Sequence, residues 1–260
     1  MRLRTAALAV VATATLAACG NSGTDVANEA DTSIQTATTT GAPDVQVGAV
    51  PGNAHAATAL RPWVIDVVKQ DLGALTRKCW TVPPDQIEPM YGDPKRIVEA
   101  VANPGIVGQF ATFWRSNTTE VSARFTEIDS NYACPKVSPV GSSTPFTDED
   151  ARYTVERYLA RTVGRPVNVS DVEASYPLVC PNLNVWNPSG TGPTAPPLAV
   201  HPDPLHGATA FDPKALKVET VRPNYVAVTG PVTDASGATR NARFTLTPGT
   251  GAYCIGEIAR

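Results

Sequence analysis

The sequence predicts an α+β fold in which helices precede antiparallel strands. Three observations predict it. Apolar side chains recur at helical spacing within residues 55–101, side chains alternate within residues 120–128, and strand-like segments joined by short turns follow residue 215. Strands and helices do not alternate one by one, as they would in a doubly wound parallel sheet. We therefore expect N-terminal helices with a short antiparallel pair, then a helix with a C-terminal antiparallel meander.

The first half of the folded region is expected to be mainly helical. Over residues 55–78, apolar side chains fall at i, i+4, i+8 and i+11 on one helix face: Val64, Val68, Leu72 and Leu75. A second, short helix is predicted to begin with Asp93 as its N-cap and Pro94 in its first position. Segments 106–114 and 120–128 are then predicted to form two strands.

The second half is expected to combine one helix with a C-terminal sheet. Residues 147–150, Thr-Asp-Glu-Asp, resemble a capping box, and an apolar helix stripe follows them: Ala151, Val155, Tyr158, Leu159 and Thr162. Residues 181–213 are rich in proline and glycine and predict a long irregular loop, which in a compact domain is usually functional or disordered. The meander is predicted from four strand-like segments: 216–222, 225–229, 240–247 and 252–259.

The N terminus carries the pattern of a secretory signal. Arg2 and Arg4 form a short positive region, and residues 6–16 are an uncharged, mainly apolar stretch too short to span a bilayer. Residues 16–20, Leu-Ala-Ala-Cys-Gly, resemble the lipobox of bacterial lipoproteins. The alternative is an ordinary signal peptide with a chance cysteine at this position.

The resemblance to bacterial lipoproteins implies a lipid anchor on Cys19. It implies cleavage between Ala18 and Cys19, a diacylglycerol on the cysteine sulfur, and an acyl chain such as palmitate on the new amino group. Two or more acyl chains hold a protein stably on a membrane. The expected organisation is a signal peptide at 1–18, a lipidated and disordered tether at 19–54, and an extracytoplasmic domain at 55–260 with sub-halves 55–140 and 146–260.

The remaining cysteines predict two disulfide bonds, because their number is even and the chain is expected to be exported. They are Cys79, Cys134, Cys180 and Cys254. Of the three pairings, we favour the first cysteine with the second and the third with the fourth, because each pair then lies within one half of the chain. No Cys-x-x-Cys sequence occurs, which argues against a thioredoxin-like redox site.

Composition and charge argue against nucleic acid as a partner. The formal charge is −3, and removal of residues 1–18 would take away Arg2 and Arg4 without any acidic residue, giving −5. Binding to nucleic acid requires clustered lysine and arginine, which a mildly acidic domain does not predict. The scarcity of lysine beside abundant alanine, threonine, valine and proline is typical of GC-rich, actinobacterial coding bias.

The sequence contains few candidates for catalytic, metal-ligating or ligand-binding residues. Gly-x-Ser-x-Gly, Ser-x-x-Lys, His-Glu-x-x-His and a phosphate-binding glycine loop are all absent, so no catalytic residue, metal or cofactor is predicted. His201, Asp203 and His206 could ligate a divalent ion, but the prolines between them favour an extended surface loop. Trp186 in the same long loop is a candidate binding anchor, and the alternative is burial beneath its own loop.

Together these observations predict a cell-envelope lipoprotein, anchored by lipid on the extracytoplasmic face of the membrane, that binds a ligand or partner without catalysis. An envelope lipid, glycan or protein is the expected partner. Two alternatives stay open. One is an envelope hydrolase or transferase whose unrecognised site would use the histidine cluster, and the other is a structural accessory of envelope assembly.

We expect Cys19→Ala to abolish incorporation of labelled palmitate and to release the protein from the membrane fraction, because the substitution removes the sulfur that carries the lipid. Metabolic labelling followed by cell fractionation checks this, with Thr38→Ala in the tether as the control. A Cys19→Ala protein that still carries labelled lipid would contradict the lipoprotein interpretation.

Overall fold

A computed structural model describes residues 44–142, 146–202 and 204–260, all within one compact unit. It contains helices and two antiparallel sheets, so the α+β class predicted from the sequence is confirmed. The predicted signal peptide, Cys19 and most of the predicted tether lie outside the described residues. We call residues 44–142 the first half and the described residues from 146 onwards the second half.

The first half begins with four α-helices: α1 (Ala54–Val68), α2 (Leu72–Lys78), α3 (Ile87–Tyr91) and α4 (Pro94–Val101). A 3-10 helix (Pro84–Gln86) precedes α3. The single helix predicted over residues 55–78 is broken after Val68. Gln70 has a positive φ of 55°, and the Asp71 side chain accepts a hydrogen bond of 2.8 Å from the Ala74 backbone as the cap of α2. The stripe of apolar side chains continues across the break, because periodicity reports the buried face and does not report interruptions of the backbone.

A four-stranded antiparallel sheet follows, in the order β1 (Ile106–Val107), β2 (Ala111–Arg115), β3 (Thr119–Arg124) and β4 (Lys136–Pro139). A short helix, α5 (Phe125–Asp129), connects β3 to β4. The helices cover one face of this sheet and form the first hydrophobic core around Trp63, Trp114 and Val121. An antiparallel pair is present as predicted, but its bounds differ. The predicted strand 106–114 is divided between β1 and β2, and the predicted strand 120–128 ends at Arg124, where α5 begins.

The packed region extends further towards the N terminus than the predicted boundary at residue 55. Val45, Val47 and Val50 are buried in the first core. The Trp114 indole donates a hydrogen bond of 3.0 Å to the Gly48 carbonyl. A Cβ at Gly48 would lie 1.8 Å from the Asn103 carbonyl oxygen, so this close approach requires glycine.

The second half packs α6 (Asp148–Thr162) on a five-stranded antiparallel sheet. Its other elements are α7 (Pro197–Val200), β5 (Ala208–Phe211), β6 (Lys217–Arg222), β7 (Tyr225–Asp234), β8 (Thr239–Pro248) and β9 (Tyr253–Ala259). Both β5 and β6 pair with β7, followed in order by β8 and β9. The predicted capping box is confirmed, because Thr147 and Asp150 exchange side-chain and backbone hydrogen bonds. The second core lies between α6 and this sheet and includes Val155, Leu159 and Phe244.

The long segment between α6 and β5 is mainly irregular but is held at several points. Val179 forms an isolated parallel bridge with Ile255 of β9, and Trp186 pairs with Thr194 within the loop. The segment predicted as an irregular loop over 181–213 contains α7 and β5, which are too short to show a periodic pattern.

Two disulfide bonds join Cys79 to Cys134 and Cys180 to Cys254, as the sequence predicts. The first lies within the first half, and the second ties β9 to the start of the long loop. They close loops with sequence separations of 55 and 74 residues. In the chain-entropy account, a loop of this length stabilises the folded state by about 4 kcal/mol.

Replacement of either cysteine pair by serine should lower the free energy of unfolding by about 4 kcal/mol, because the unfolded chain gains the entropy that the bridge removes. Urea unfolding of Cys79→Ser/Cys134→Ser and of Cys180→Ser/Cys254→Ser measures the two effects separately. Treatment of both double variants with dithiothreitol is the control, since each retains one bridge. An unchanged unfolding midpoint in either variant would show that its bridge does not stabilise the fold.

Candidate functional site

A cleft formed by two adjoining cavities lies between the two halves. The first cavity has a volume of about 340 Å³ and lies between β2, β3 and α6. The second has a volume of about 580 Å³ and lies between the β8–β9 turn and residues 176–184. Six residues line both cavities: Phe110, Arg124, Arg157, Thr250, Gly251 and Ala252. The two volumes fall in the range typical of small-molecule sites.

The strand pair β2–β3 lines the first cavity because its side chains alternate between two buried environments. Thr112 and Trp114 of β2 point into the first core and are fully buried. The intervening residues line the cavity as two cross-strand pairs, Ala111 opposite Arg124 and Phe113 opposite Ser122. The face of β3 that carries Ser122 and Arg124 is therefore a wall of the cleft.

Helix α6 forms the opposite wall of the first cavity. Asp150, Tyr153, Thr154 and Arg157 line it, at positions i, i+3, i+4 and i+7 of the helix. The Tyr153 hydroxyl donates a hydrogen bond of 2.7 Å to the Trp80 carbonyl, which connects the helix to the first half. Helix α6 thus has two buried faces, an apolar one towards its own sheet and a polar one towards the cleft.

Arg157 is a charged residue held inside the protein, with its side chain only 4% exposed. Its Nε and Nη2 atoms donate hydrogen bonds of 3.1 and 2.5 Å to the two carboxylate oxygens of Asp171. Its guanidinium group lies over the Trp80 ring, 5.1 Å from the ring centre. Arg161 also donates to Asp171, so this carboxylate is shared by two arginines.

The Asp171 carboxyl is fully buried and charged. Burial by itself would raise its pKa, but hydrogen bonds from Arg157 and Arg161 hold the pKa of the Asp171 carboxyl below its usual range. The charged form is therefore favoured, and Asp171 fixes the orientation of Arg157 at the cleft.

Two further cations lie at the cleft. Arg124 Nη2 donates a hydrogen bond of 2.8 Å to Glu127, and its alkyl chain packs against Gly251, where a Cβ would lie 2.4 Å from Arg124 Cδ. Lys136 Nζ lies 3.1 Å from an Asp150 oxygen and 5.0 Å from the centre of the Phe146 ring. The contacts of Arg124 with Gly251 and of Lys136 with Asp150 cross from one half to the other. The described lining of the two cavities contains Asp150 as its one carboxylate.

Three of the binding residues proposed from the sequence, Trp186, His201 and His206, lie outside the described lining of the two cavities. Trp186 is 2% exposed and packs against Tyr225, with its ring over Gly256 of β9. His201 and His206 are exposed, and Asp203 lies outside the described residues, so the proposed cluster stays a prediction. Among the described residues, no group of three His, Cys, Asp or Glu side chains is placed to hold a metal ion.

The residues that build the cleft were missed by the sequence analysis for identifiable reasons. Arg157 and Asp150 occupy positions on α6 that resemble a solvated helix face. Phe110 lies inside the segment 106–114 that the sequence predicts as one strand, and a strand pattern does not report that the chain turns there and leaves this side chain 43% exposed. The four-residue polar stripe on α6 was a usable signal, because arginine and tyrosine at i, i+4 on a helix with a separate apolar face indicate a second contact surface.

No helix in the described ranges is long and apolar enough to cross a membrane. Comparison of the chain with protein-family models, curated proteins and solved structures gives no match.

We expect the protein to lose stability in acid as Asp171 becomes protonated. The pKa of Asp171 is lower in the folded state than in the unfolded state. Its charge therefore contributes fully to the free energy of unfolding above the unfolded-state pKa of about 3.9, and this contribution is lost as the pH falls through the lower folded-state pKa. Asp171→Asn should therefore lower the free energy of unfolding at pH 7 by about 3 kcal/mol. It should also reduce the dependence of stability on pH below about 4.

Urea unfolding of the two proteins between pH 7 and pH 3 measures both effects. Asp129→Asn, at an exposed position, is the matched control and should behave like the unaltered protein. Equal stability of Asp171→Asn and the unaltered protein at pH 7 would contradict a stabilising role for this ion pair.

Proposed function

We propose that this protein is a lipid-anchored binding module of the cell envelope that holds an apolar or amphipathic ligand in the cleft between its halves. The observation that supports this function most directly is the pair of adjoining cavities with mainly apolar walls. Clefts between substructures, lined by apolar side chains with a few polar groups, are the usual form of small-molecule sites.

The lining of the cleft favours an apolar ligand. Val82, Met90 and Phe113 line the first cavity, and Phe125 and Leu178 line the second. Burial of apolar surface contributes about 25 cal/mol per Å² and needs no directional partner, so an alkyl or aromatic group would be bound favourably on these walls. Phe110 borders both cavities and is 43% exposed, which leaves an apolar side chain at the opening.

The proposed anchor complements this activity. A lipid on Cys19 and a tether of about 30 Å r.m.s. reach would keep the cleft close to the membrane surface, where apolar ligands are concentrated. The proposed role is therefore to bind such a ligand at the extracytoplasmic face.

A neutral apolar probe, N-phenylnaphthylamine, should increase its fluorescence on binding to the full chain carrying Cys19→Ala, whose own acyl groups then cannot compete. Thr250→Trp should raise the Kd of the probe about tenfold, because this exposed turn residue borders both cavities and a larger ring would fill their junction. Fluorescence titration gives both values.

Thr220→Trp is the matched control, since Thr220 is an exposed strand residue away from the described cavity linings. It should leave the Kd unchanged. Absence of probe binding, or equal binding by the two tryptophan variants, would contradict the proposed site.

A further inference from the structure

The charges at the cleft are distributed unequally between its surface and the protein behind it. Arg124 and Arg157 border both cavities, whereas their carboxylate partners Glu127 and Asp171 border neither. The described lining of the second cavity contains these two guanidinium groups and no carboxylate. A protein of net negative charge thus presents a cationic surface at the junction of its cavities, which favours a negatively charged ligand group there.

The two arginines retain donors that their protein partners do not use. Asp171 accepts hydrogen bonds from Nε and Nη2 of Arg157, and Glu127 accepts one from Nη2 of Arg124. Within the described part of the chain, Nη1 of Arg157 and both Nε and Nη1 of Arg124 have no hydrogen-bond acceptor. Guanidinium groups bind phosphate oxygens through paired N–H donors, and Arg157 is already fixed by Asp171 and Trp80.

The position of these arginines relative to the cavities restricts the shape of the ligand. They lie where the cavities adjoin, and an apolar space extends from this junction in each direction. Met90 and Phe113 line the space on one side, and Leu178 and Val179 line it on the other. An anionic group bound at the junction would therefore carry an apolar arm into each cavity, and a single-chain ligand would leave one of them unfilled.

We propose that the cleft binds one molecule of a diacyl anionic phospholipid, with its phosphate at Arg124 and Arg157 and one acyl chain in each cavity. This inference rests on the proposed function, because it names the ligand of the same cleft. A free phosphate would leave the apolar walls in contact with water. These walls therefore favour a phosphate that belongs to a lipid.

The test compares lipids of equal chain length and different headgroup charge. The full chain carrying Cys19→Ala is incubated with vesicles of equal parts dioleoyl phosphatidylglycerol and dioleoyl phosphatidylcholine, then separated from them and analysed by native mass spectrometry. We expect one phosphatidylglycerol per chain, in at least tenfold excess over phosphatidylcholine.

Substitution of Arg124 should remove this preference. Because Arg124→Gln alone would leave the buried Glu127 unpaired, it is combined with Glu127→Gln. The double variant should lower phosphatidylglycerol occupancy about tenfold, to the level of phosphatidylcholine. Arg115→Gln/Glu120→Gln is the matched control, since this surface ion pair on β2 and β3 lies outside the cavity linings, and it should bind like the unaltered protein.

Equal occupancy by the two lipids, binding of two single-chain lysophosphatidylglycerol molecules in place of one diacyl lipid, or displacement of the lipid by inorganic phosphate would each overturn the inference. If the neutral probe still binds and Thr250→Trp still weakens it, the cleft is a ligand site with a different ligand. If the probe does not bind, the proposed function fails as well.

Discussion

The charge of Arg157 is the constraint on which the arrangement of the two halves depends. A buried guanidinium group is tolerated only when it is paired and hydrogen-bonded, since removal of one partner from such a pair destabilises a protein by about 3–5 kcal/mol. Asp171 supplies the pair from the segment after α6, and Trp80 supplies the ring beneath it from the first half. The junction between the halves is consequently polar at its centre, with separate hydrophobic cores on either side.

This polar junction explains why a cleft persists between the halves. Apolar surfaces that meet without buried charges tend to close into one continuous core. Here several of the contacts that cross from one half to the other are directional, such as Tyr153 with the Trp80 carbonyl and Lys136 with Asp150. Each of these contacts holds the two halves at a fixed distance, and the two cavities lie in the space between the contacts. The same residues therefore join the halves and shape the proposed binding site.

The sequence predicts the elements of the fold better than the site. The capping box at Thr147, the disulfide pairing and the strands of the C-terminal meander follow from local pattern and from the order of the cysteines along the chain. The local sequence pattern does not show which faces of the strands and helices pack against one another. Arg124 and Arg157 are 33 positions apart, and only the packing of β3 against α6 and of the β8–β9 turn against Arg124 brings them to one cleft. The break at Gln70 was similarly hidden, since a left-handed residue leaves the apolar periodicity intact.

The order of the cysteines also has a consequence for the biogenesis of the protein. The two disulfide loops follow one another along the chain without overlap, so Cys79 and Cys134 have both been synthesised before Cys180. Formation of the first bridge therefore requires no cysteine of the second half. Cys134 borders the first cavity and Cys254 borders the second. The complete cleft therefore requires both halves, and a chain that ended before β9 would lack Cys254 and part of the wall of the second cavity.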